Sequence, residues 1–116
     1  MKRHQAEQAG RAAEERAAEY LAGKGWQVLA HRRRTPVGEI DLIARRPGLV
    51  AFLEVKWRRT AAQLDQAIDL PRLARVAAAA EAVAHEYMQA GDDLTIDVLL
   101  LAPGAPPRHI VNAWQP

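Results

Sequence analysis

Two short stretches decide the predicted fold: GEIDLIA at Gly38–Ala44 and FLEVK at Phe52–Lys56. Both are rich in aliphatic and β-branched residues and have the length of a single strand. The proline and glycine within Arg46–Gly48, between the two stretches, are typical of a tight turn. A hairpin folded there would bring Asp41 next to Glu54.

Three carboxylates and a lysine lie on these two apolar strands, although apolar strands normally exclude charge. Residues two apart in a strand share a face, so Glu39 is expected beside Asp41. By the same spacing, Glu54 is expected beside Lys56. Two carboxylates and an ammonium group at one sheet edge are costly unless a metal or a phosphate compensates them. The pattern therefore predicts a functional site.

Length and composition favour one compact domain. The chain has 116 residues, and 49% of them are hydrophobic, which suits one core rather than two. We expect a single domain over residues 1–116, with its core at about 5–114. The absence of cysteine excludes disulfides and thiolate metal sites. No signal peptide is recognisable, and no run approaches the roughly 18 apolar residues of a membrane span, so a cytoplasmic protein is expected.

Basic residues are concentrated in the middle of the chain. The net charge is only +2, but the segment from His31 to Arg75 contains ten Lys and Arg against five Asp and Glu. Such a distribution is typical of an anion-binding region.

The order of the predicted elements is α-β-β-β-α-β, with room for a small terminal strand, and it indicates an α/β protein. Residues 61–90 are expected to be helical but broken near Pro71, because a proline inside a helix removes a hydrogen bond and clashes with the preceding turn. The basic run up to Arg34 is expected to belong to the turn that leaves the first strand. The other elements are a helix at 5–24, strands at 26–30, 37–45, 49–57 and 94–101, and a short segment at 108–114.

The paired carboxylates have the chemistry of a divalent-metal site. Mg²⁺ prefers oxygen ligands and often takes one or two carboxylates together with a substrate phosphate oxygen. Asp41 and Glu54 are the predicted ligands, and the backbone carbonyl of Val55 is a further one. Lys56 is placed to hold an attacking water and to offset charge on a phosphorane-like transition state. Glu14 or Glu15 on the first helix would add a carboxylate if that helix packs across the sheet end.

The chain resembles a known nuclease superfamily at these positions. Asp41 followed by Glu54-x-Lys56 on the next strand is similar to the motif of the PD-(D/E)xK superfamily, which includes archaeal-type Holliday junction resolvases. Over roughly residues 10–112 the chain also resembles the small bacterial YraN-like family. The further matching positions are Gly10, Glu14, Ala17, Tyr20, Leu21, Gly25, Trp26, Arg33, Gly38–Ala44, Phe52 and Arg58.

The resemblance implies a restriction-endonuclease-like core of three layers, α-β-α, with a mixed central sheet. It also implies a Mg²⁺ or Mn²⁺ site and hydrolysis of DNA phosphodiester bonds in repair or recombination, on structured or branched DNA. On this analogy Asp41, Glu54 and Lys56 form the catalytic centre, and Glu14 is the helix carboxylate of resolvase relatives. A homodimer would supply two active sites for paired cuts.

Several arginines are candidates for contact with DNA phosphates. The lysine that the family carries on its second helix is replaced by Arg72, which keeps the charge and allows bidentate contact with phosphate. The full set of candidates is Arg32, Arg33, Arg34, Arg58, Arg59 and Arg72.

Some features have a second interpretation. Glu54 and Lys56 have the spacing of an ordinary ion pair on a solvated strand face. Glu39 either binds metal or tunes the site, or it pairs with an arginine. Asp97 is expected to be a supporting group hydrogen-bonded to the arginines, and His109 an ordinary surface or core histidine. The alternative function is a non-catalytic nucleic-acid-binding or scaffold domain with a nuclease-like fold.

Overall fold

The computed structural model describes residues 3–115 of the chain, and the side chains of residues 9–115. Its elements are three helices and five strands, with a 3-10 turn at Ala84–Glu86 after the last helix. The helices are α1 (Arg3–Gly23), α2 (Ala61–Leu64) and α3 (Leu70–Val83). The strands are β1 (Gln27–Thr35), β2 (Gly38–Arg46), β3 (Leu49–Trp57), β4 (Asp93–Leu101) and β5 (Arg108–Ile110).

The five strands form one mixed sheet in the order β1-β2-β3-β4-β5. Neighbouring strands are antiparallel except β3 and β4, which run parallel from the pair Leu49 and Asp93 to the pair Trp57 and Leu101. Parallel neighbours need a long crossover, and α2 and α3 provide it. The predicted α/β order, including the small terminal strand, is confirmed.

One helical layer covers each face of the sheet. On one face Leu73 and Val76 of α3 pack with Phe52 of β3. On the other face Ala17 and Leu21 of α1 pack with a second buried cluster that includes Leu42, Leu53 and Leu99. A sheet buried on both faces needs nearly continuous apolar strands, which β3 and β4 provide. The predicted α-β-α layering is therefore confirmed.

The break predicted near Pro71 is confirmed. The first helical piece, α2, is a single turn, and Pro71 lies in the first turn of α3, where its missing N–H leaves no hydrogen bond unmade. Asp69 caps α3, because its carboxylate accepts a hydrogen bond from the backbone N–H of Arg72 at 3.2 Å. The helix ends at Val83, earlier than predicted. None of the described helices is long and apolar enough to cross a membrane.

The prediction that the basic run up to Arg34 belongs to the turn after β1 is wrong, because β1 continues to Thr35. The turn into β2 lies at Pro36 and Val37, where the Thr35 hydroxyl accepts hydrogen bonds from the N–H groups of Val37 and Gly38. β1 is an edge strand, paired only with β2 in the described sheet. An edge strand tolerates charged side chains that a central strand would exclude, and the charge discourages pairing with other chains.

The hairpin predicted at Arg46–Gly48 is confirmed, and its pairing stops near the carboxylates. β2 and β3 pair from Arg46 and Leu49 up to Leu42 and Leu53. Beyond that point Asp41 and Val55 are joined by a side-chain hydrogen bond instead of the backbone ladder. The divergence of two central strands opens a gap at one end of the sheet.

Candidate functional site

A cleft of about 310 Å³ lies where β2 and β3 diverge. Four elements contribute to it: α1 forms one wall, β2 and β3 form the floor, and the start of α3 reaches in from the opposite layer. The polar side chains that line it are Glu14, Asp41, Glu54, Lys56, Arg58 and Arg72. The four residues predicted as catalytic are therefore brought together, although 42 positions of the chain separate Glu14 from Lys56.

Asp41 is held at the floor of this cleft. Its Oδ2 accepts a hydrogen bond of 2.8 Å from the backbone N–H of Val55, the group left free where the ladder stops. The pKa of Asp41 is raised to about 6, chiefly by burial and also by the charges of Glu14 and Glu54, against the opposing effects of the Val55 N–H and Arg72. Asp41 is consequently ionised above about pH 6, where it can bind a cation.

Glu54 is 2% exposed and is only half satisfied. Its Oε1 contacts two cations, Nε of Arg72 and Nζ of Lys56, the latter at 3.1 Å. Its Oε2 is buried and has no hydrogen-bond partner in the described part of the chain. A buried acceptor without a partner costs about 1–3 kcal/mol, and more if it is charged, so a ligand that satisfies this oxygen would be stabilising.

A second group of carboxylates adjoins the first. Glu14, Glu39 and Asp41 each offer an oxygen, and these oxygens lie within 4.8 Å of one another. Glu14 accepts a hydrogen bond of 2.6 Å from Nε of Arg32, and Glu39 lies 3.6 Å from Nε of Arg34. Glu39 is thus both near the candidate metal ligands and paired with an arginine, the two roles that its position in the sequence left open.

The donor set fits a hard divalent cation. Carboxylate oxygens of Asp41 and Glu14 lie together, and Glu54, whose Oε2 has no partner among the described residues, lines the same cleft. Oxygen ligands of this kind suit Mg²⁺ or Mn²⁺. Val55 also lines the cleft, and its N–H donates to Asp41; its carbonyl as a metal ligand stays a prediction.

The six arginines predicted to bind phosphate divide into those at the cleft, those exposed to solvent, and Arg33. Arg58 and Arg72 line the cleft, and Arg32 is anchored there by Glu14. Arg32 has a positive φ of 51°, a backbone conformation that is rare outside glycine. Arg34 and Arg59 are exposed and do not line the cleft.

Arg33 is placed differently from the other five arginines. It makes a bidentate ion pair with Glu86, at 2.6 and 2.9 Å, and a hydrogen bond of 3.1 Å to the Tyr87 hydroxyl. These contacts fasten β1 to the segment after α3. Arg33 is therefore part of the packing rather than of the cleft.

The predicted partners of Asp97 are wrong. Asp97 is fully buried, but its carboxylate contacts Nε2 of His109 at 2.7 Å and accepts a hydrogen bond of 2.9 Å from the backbone N–H of Asn112. The two groups come from β5 and the residues after it, which fold back beside β4. Asp97 therefore anchors the C-terminal strand instead of binding arginines.

Two residues near the cleft were not singled out from the sequence. Trp57 lines the cleft beside Lys56. Arg75 borders a neighbouring depression together with Arg72. A signal for Arg75 was present in the sequence, since it follows Arg72 by three residues and such residues share a helix face.

Comparison with known proteins places the chain in a family. The model of the family described as "Uncharacterised protein family UPF0102" matches residues 13–101. A UPF0102 protein of Erythrobacter litoralis is 66% identical over the full length of both chains, and one of Sphingopyxis alaskensis is 57% identical, also over both full lengths. A third, from Rhizorhabdus wittichii, is 47% identical over 98% of this chain and 97% of its own. The chain therefore belongs to the uncharacterised protein family UPF0102, the YraN-like family that its motifs resemble.

Proposed function

We propose that this protein is a metal-dependent endonuclease that hydrolyses phosphodiester bonds in structured or branched DNA. The observation that carries the proposal is the cleft in which Asp41, Glu54 and Lys56 converge, with one buried carboxylate oxygen left without a partner. The order of these residues on two adjacent strands, resembling that of PD-(D/E)xK nucleases, supports placing the protein in that superfamily.

The metal would be held by Asp41 and Glu54, with the Val55 carbonyl and the neighbouring Glu14 and Glu39 in support. When bound, Mg²⁺ or Mn²⁺ would supply a Lewis acid for the phosphoryl oxygens and lower the pKa of a water molecule. Asp41 must be ionised for this role, and its pKa of about 6 allows that at neutral pH.

Lys56 would stabilise charge on the reacting phosphate. Its side chain is largely buried and its Nζ lies 3.1 Å from Oε1 of Glu54, which holds the ammonium at the floor of the cleft. A fixed ammonium in a partly dry site stabilises developing negative charge more strongly than one in bulk water.

The surroundings of the cleft suit a DNA backbone better than a base sequence. Arg58 lines the cleft, and Arg34 and Arg59 are exposed near it. Contacts from arginine to phosphate give affinity without reading bases, and a small domain has little surface left for base readout. Selection by DNA shape is therefore proposed, and a homodimer would place two such clefts for paired cuts.

One observation favours the second candidate, a non-catalytic nucleic-acid-binding domain. The carboxylates of the cleft are already paired with cations: Glu14 with Arg32, and Glu54 with Lys56 and Arg72. Such a network could be stable without metal, so the two functions must be separated by experiment.

The test is a cleavage assay on labelled linear, single-stranded, flap and four-way-junction DNAs, each with Mg²⁺ or Mn²⁺. Wild-type protein should cut at least one branched substrate, and Asp41→Ala and Lys56→Ala should lose cutting while still binding. Asp65→Ala serves as the matched control for Asp41→Ala, because Asp65 is an exposed carboxylate paired with Arg108.

Two results would count against the nuclease. One is the absence of cutting by wild type on every substrate; the other is unchanged cutting by both alanine variants. Binding that falls steeply with salt and ignores divalent metal would instead support the second candidate.

A further inference from the structure

A second depression adjoins the cleft and shares one residue with it. It has a volume of about 290 Å³ and is bordered by Gly38, Glu39, Arg72, Arg75 and Val76. Arg72 borders both spaces, since its Nε contacts Glu54 in the cleft while its side chain is 43% exposed. Arg72 therefore stands at the boundary between the candidate metal site and the depression.

Two guanidinium groups can serve this depression. Arg72 and Arg75 are three residues apart on α3, so their side chains leave the same face of the helix. Arg75 is exposed and makes no ion pair with any other residue that the structure describes. Paired guanidinium groups bind phosphate well, because each presents several donors in a planar fork.

The opposite wall of the depression is backbone. A Cβ added to Gly38 would lie 3.6 Å from the carbonyl oxygen of Arg75 and 3.9 Å from Cβ of Ala79, so the start of β2 packs directly against α3. Gly38 also has a φ of +155°, at the limit of the region that side chains disfavour. One side of the depression is therefore formed where β2 packs against α3.

Glu39 also borders the depression and opposes anion binding there. Its carboxylate lies 3.6 Å from Nε of Arg34, which offsets part of its charge. With two arginines at the depression and a third beside Glu39, the local balance remains positive.

Arg72 and a metal ion would compete for Glu54. Oε1 of Glu54 already contacts both Arg72 and Lys56, so a divalent cation at the unpartnered Oε2 would share the carboxylate with the guanidinium and repel it. Arg72 is the partner that can leave, because it is partly exposed and on a long flexible side chain, whereas Lys56 is more buried.

We propose that the depression is a phosphate site for the DNA strand, and that Arg72 joins Arg75 there when a divalent cation replaces it at Glu54. The proposal rests on the proposed function. It adds a substrate contact and a condition, since Arg72 takes up this contact when the metal binds. Metal and DNA then reinforce each other's binding, because each favours the same position of Arg72, and this coupling is reciprocal.

The first test is Mg²⁺ binding measured by calorimetry on full-length protein without DNA. Arg72→Gln removes the competing cation, so we expect it to bind Mg²⁺ about fivefold or more tightly than wild type. Arg75→Gln is the matched control: it removes the same charge one helical turn away without touching Glu54, and its Mg²⁺ affinity should stay within about twofold of wild type. Equal or weaker Mg²⁺ binding by Arg72→Gln overturns the exchange.

The second test follows Arg72 directly in the wild-type chain. The Nε–H of Arg72 donates to a buried carboxylate, so without metal its NMR signal should be protected from exchange with solvent. Adding Mg²⁺ should shift or broaden this signal, whereas an unchanged signal at saturating Mg²⁺ contradicts the exchange.

The third test concerns the phosphate site. In a Lys56→Ala background, which should keep DNA intact, Arg75→Gln should weaken binding of a labelled four-way junction in Mg²⁺. It should also reduce the slope of log affinity against log salt by about 0.9, the value for one phosphate contact on duplex DNA. An unchanged slope and affinity would exclude the site. Both metal and DNA are measured here by binding, so these results stand apart from whether the protein cuts.

Discussion

Two buried carboxylates on neighbouring strands have opposite surroundings. Asp97 on β4 is closed on all sides, and both of its oxygens are used, one by His109 and the other by the Asn112 N–H. Glu54 on β3 is equally buried, but it lines an open cleft and leaves Oε2 without a partner among the described residues. A satisfied buried charge holds a fold together, whereas a half-satisfied one beside a cleft is available to a ligand.

The largest expected effect is on cleavage. Glu54→Gln keeps the shape of the side chain but removes the negative charge, so it should lower the cleavage rate by about two to three orders of magnitude. The measurement is initial rate on the best branched substrate in Mg²⁺. Asp97→Asn, the same change at the closed carboxylate, should retain most of the activity per folded molecule. Equal losses in both variants would erase the distinction between the two regions.

The next effect is on stability at the closed carboxylate. Asp97→Ala leaves His109 and the Asn112 N–H without their acceptor, so it should lower the free energy of unfolding by about 2–4 kcal/mol. Urea denaturation measures this loss. The double variant with His109→Ala should lose less than the sum of the single losses, because both changes break one contact. Strict additivity would show that the pair is not coupled.

In the cleft, removing the charge of a carboxylate should stabilise the protein instead of destabilising it. The folded-state pKa of Asp41 is raised from 3.8 to about 6, so its contribution to stability is fully present below about pH 3.8 and is lost as pH rises through 6. Asp41→Asn removes that cost and should stabilise the metal-free protein at pH 8 by about 1–3 kcal/mol, with the gain vanishing near pH 4.

The measurement for Asp41 is urea denaturation of wild type and variant between pH 4 and 8, with chelator present. Mg²⁺ should reduce the difference in the free energy of unfolding between variant and wild type, since it binds the ionised wild-type site. A variant that is less stable than wild type at pH 8 would mean that Asp41 is structural, as Asp97 is.

The smallest expected effect is the difference in DNA affinity between two arginine variants. Arg33 is held by Glu86 and Tyr87, so Arg33→Gln should change affinity for DNA by less than about twofold. Arg58 lines the cleft, and Arg58→Gln should weaken binding several-fold and lower its salt dependence. Fluorescence anisotropy with a labelled junction compares the two. A larger loss for Arg33→Gln would move the DNA path toward the segment after α3 that Arg33 contacts.

Local patterns in the sequence predicted the elements well where one physical cause dominated. β3 spans the predicted residues 49–57, because its apolar run has clear turn residues before it. β1 was predicted too short, because the charge of Arg32–Arg34 is typical of a turn unless the strand is known to be an edge. That knowledge depends on sheet order, which is not a local property.

The sequence predicted those parts of the candidate site that follow from the pairing of neighbouring strands. The hairpin at Arg46–Gly48 sets Asp41 beside Glu54, and both line the cleft. The partners of Arg33 and Asp97 were not predictable in the same way. Glu86 lies 53 residues from Arg33, and His109 approaches Asp97 only because β5 folds back onto β4.

The cleft takes side chains from α1, β2, β3 and α3, and so from both helical layers and the sheet between them. A ligand that binds there contacts parts of the chain that separate when the protein unfolds. Its binding should therefore increase the free energy of unfolding of the whole molecule by about 2.7 kcal/mol at a concentration 100 times its Kd, and the melting temperature should rise accordingly. Thermal melting in the presence of different metal ions and DNA structures can thus rank ligands before any reaction is known.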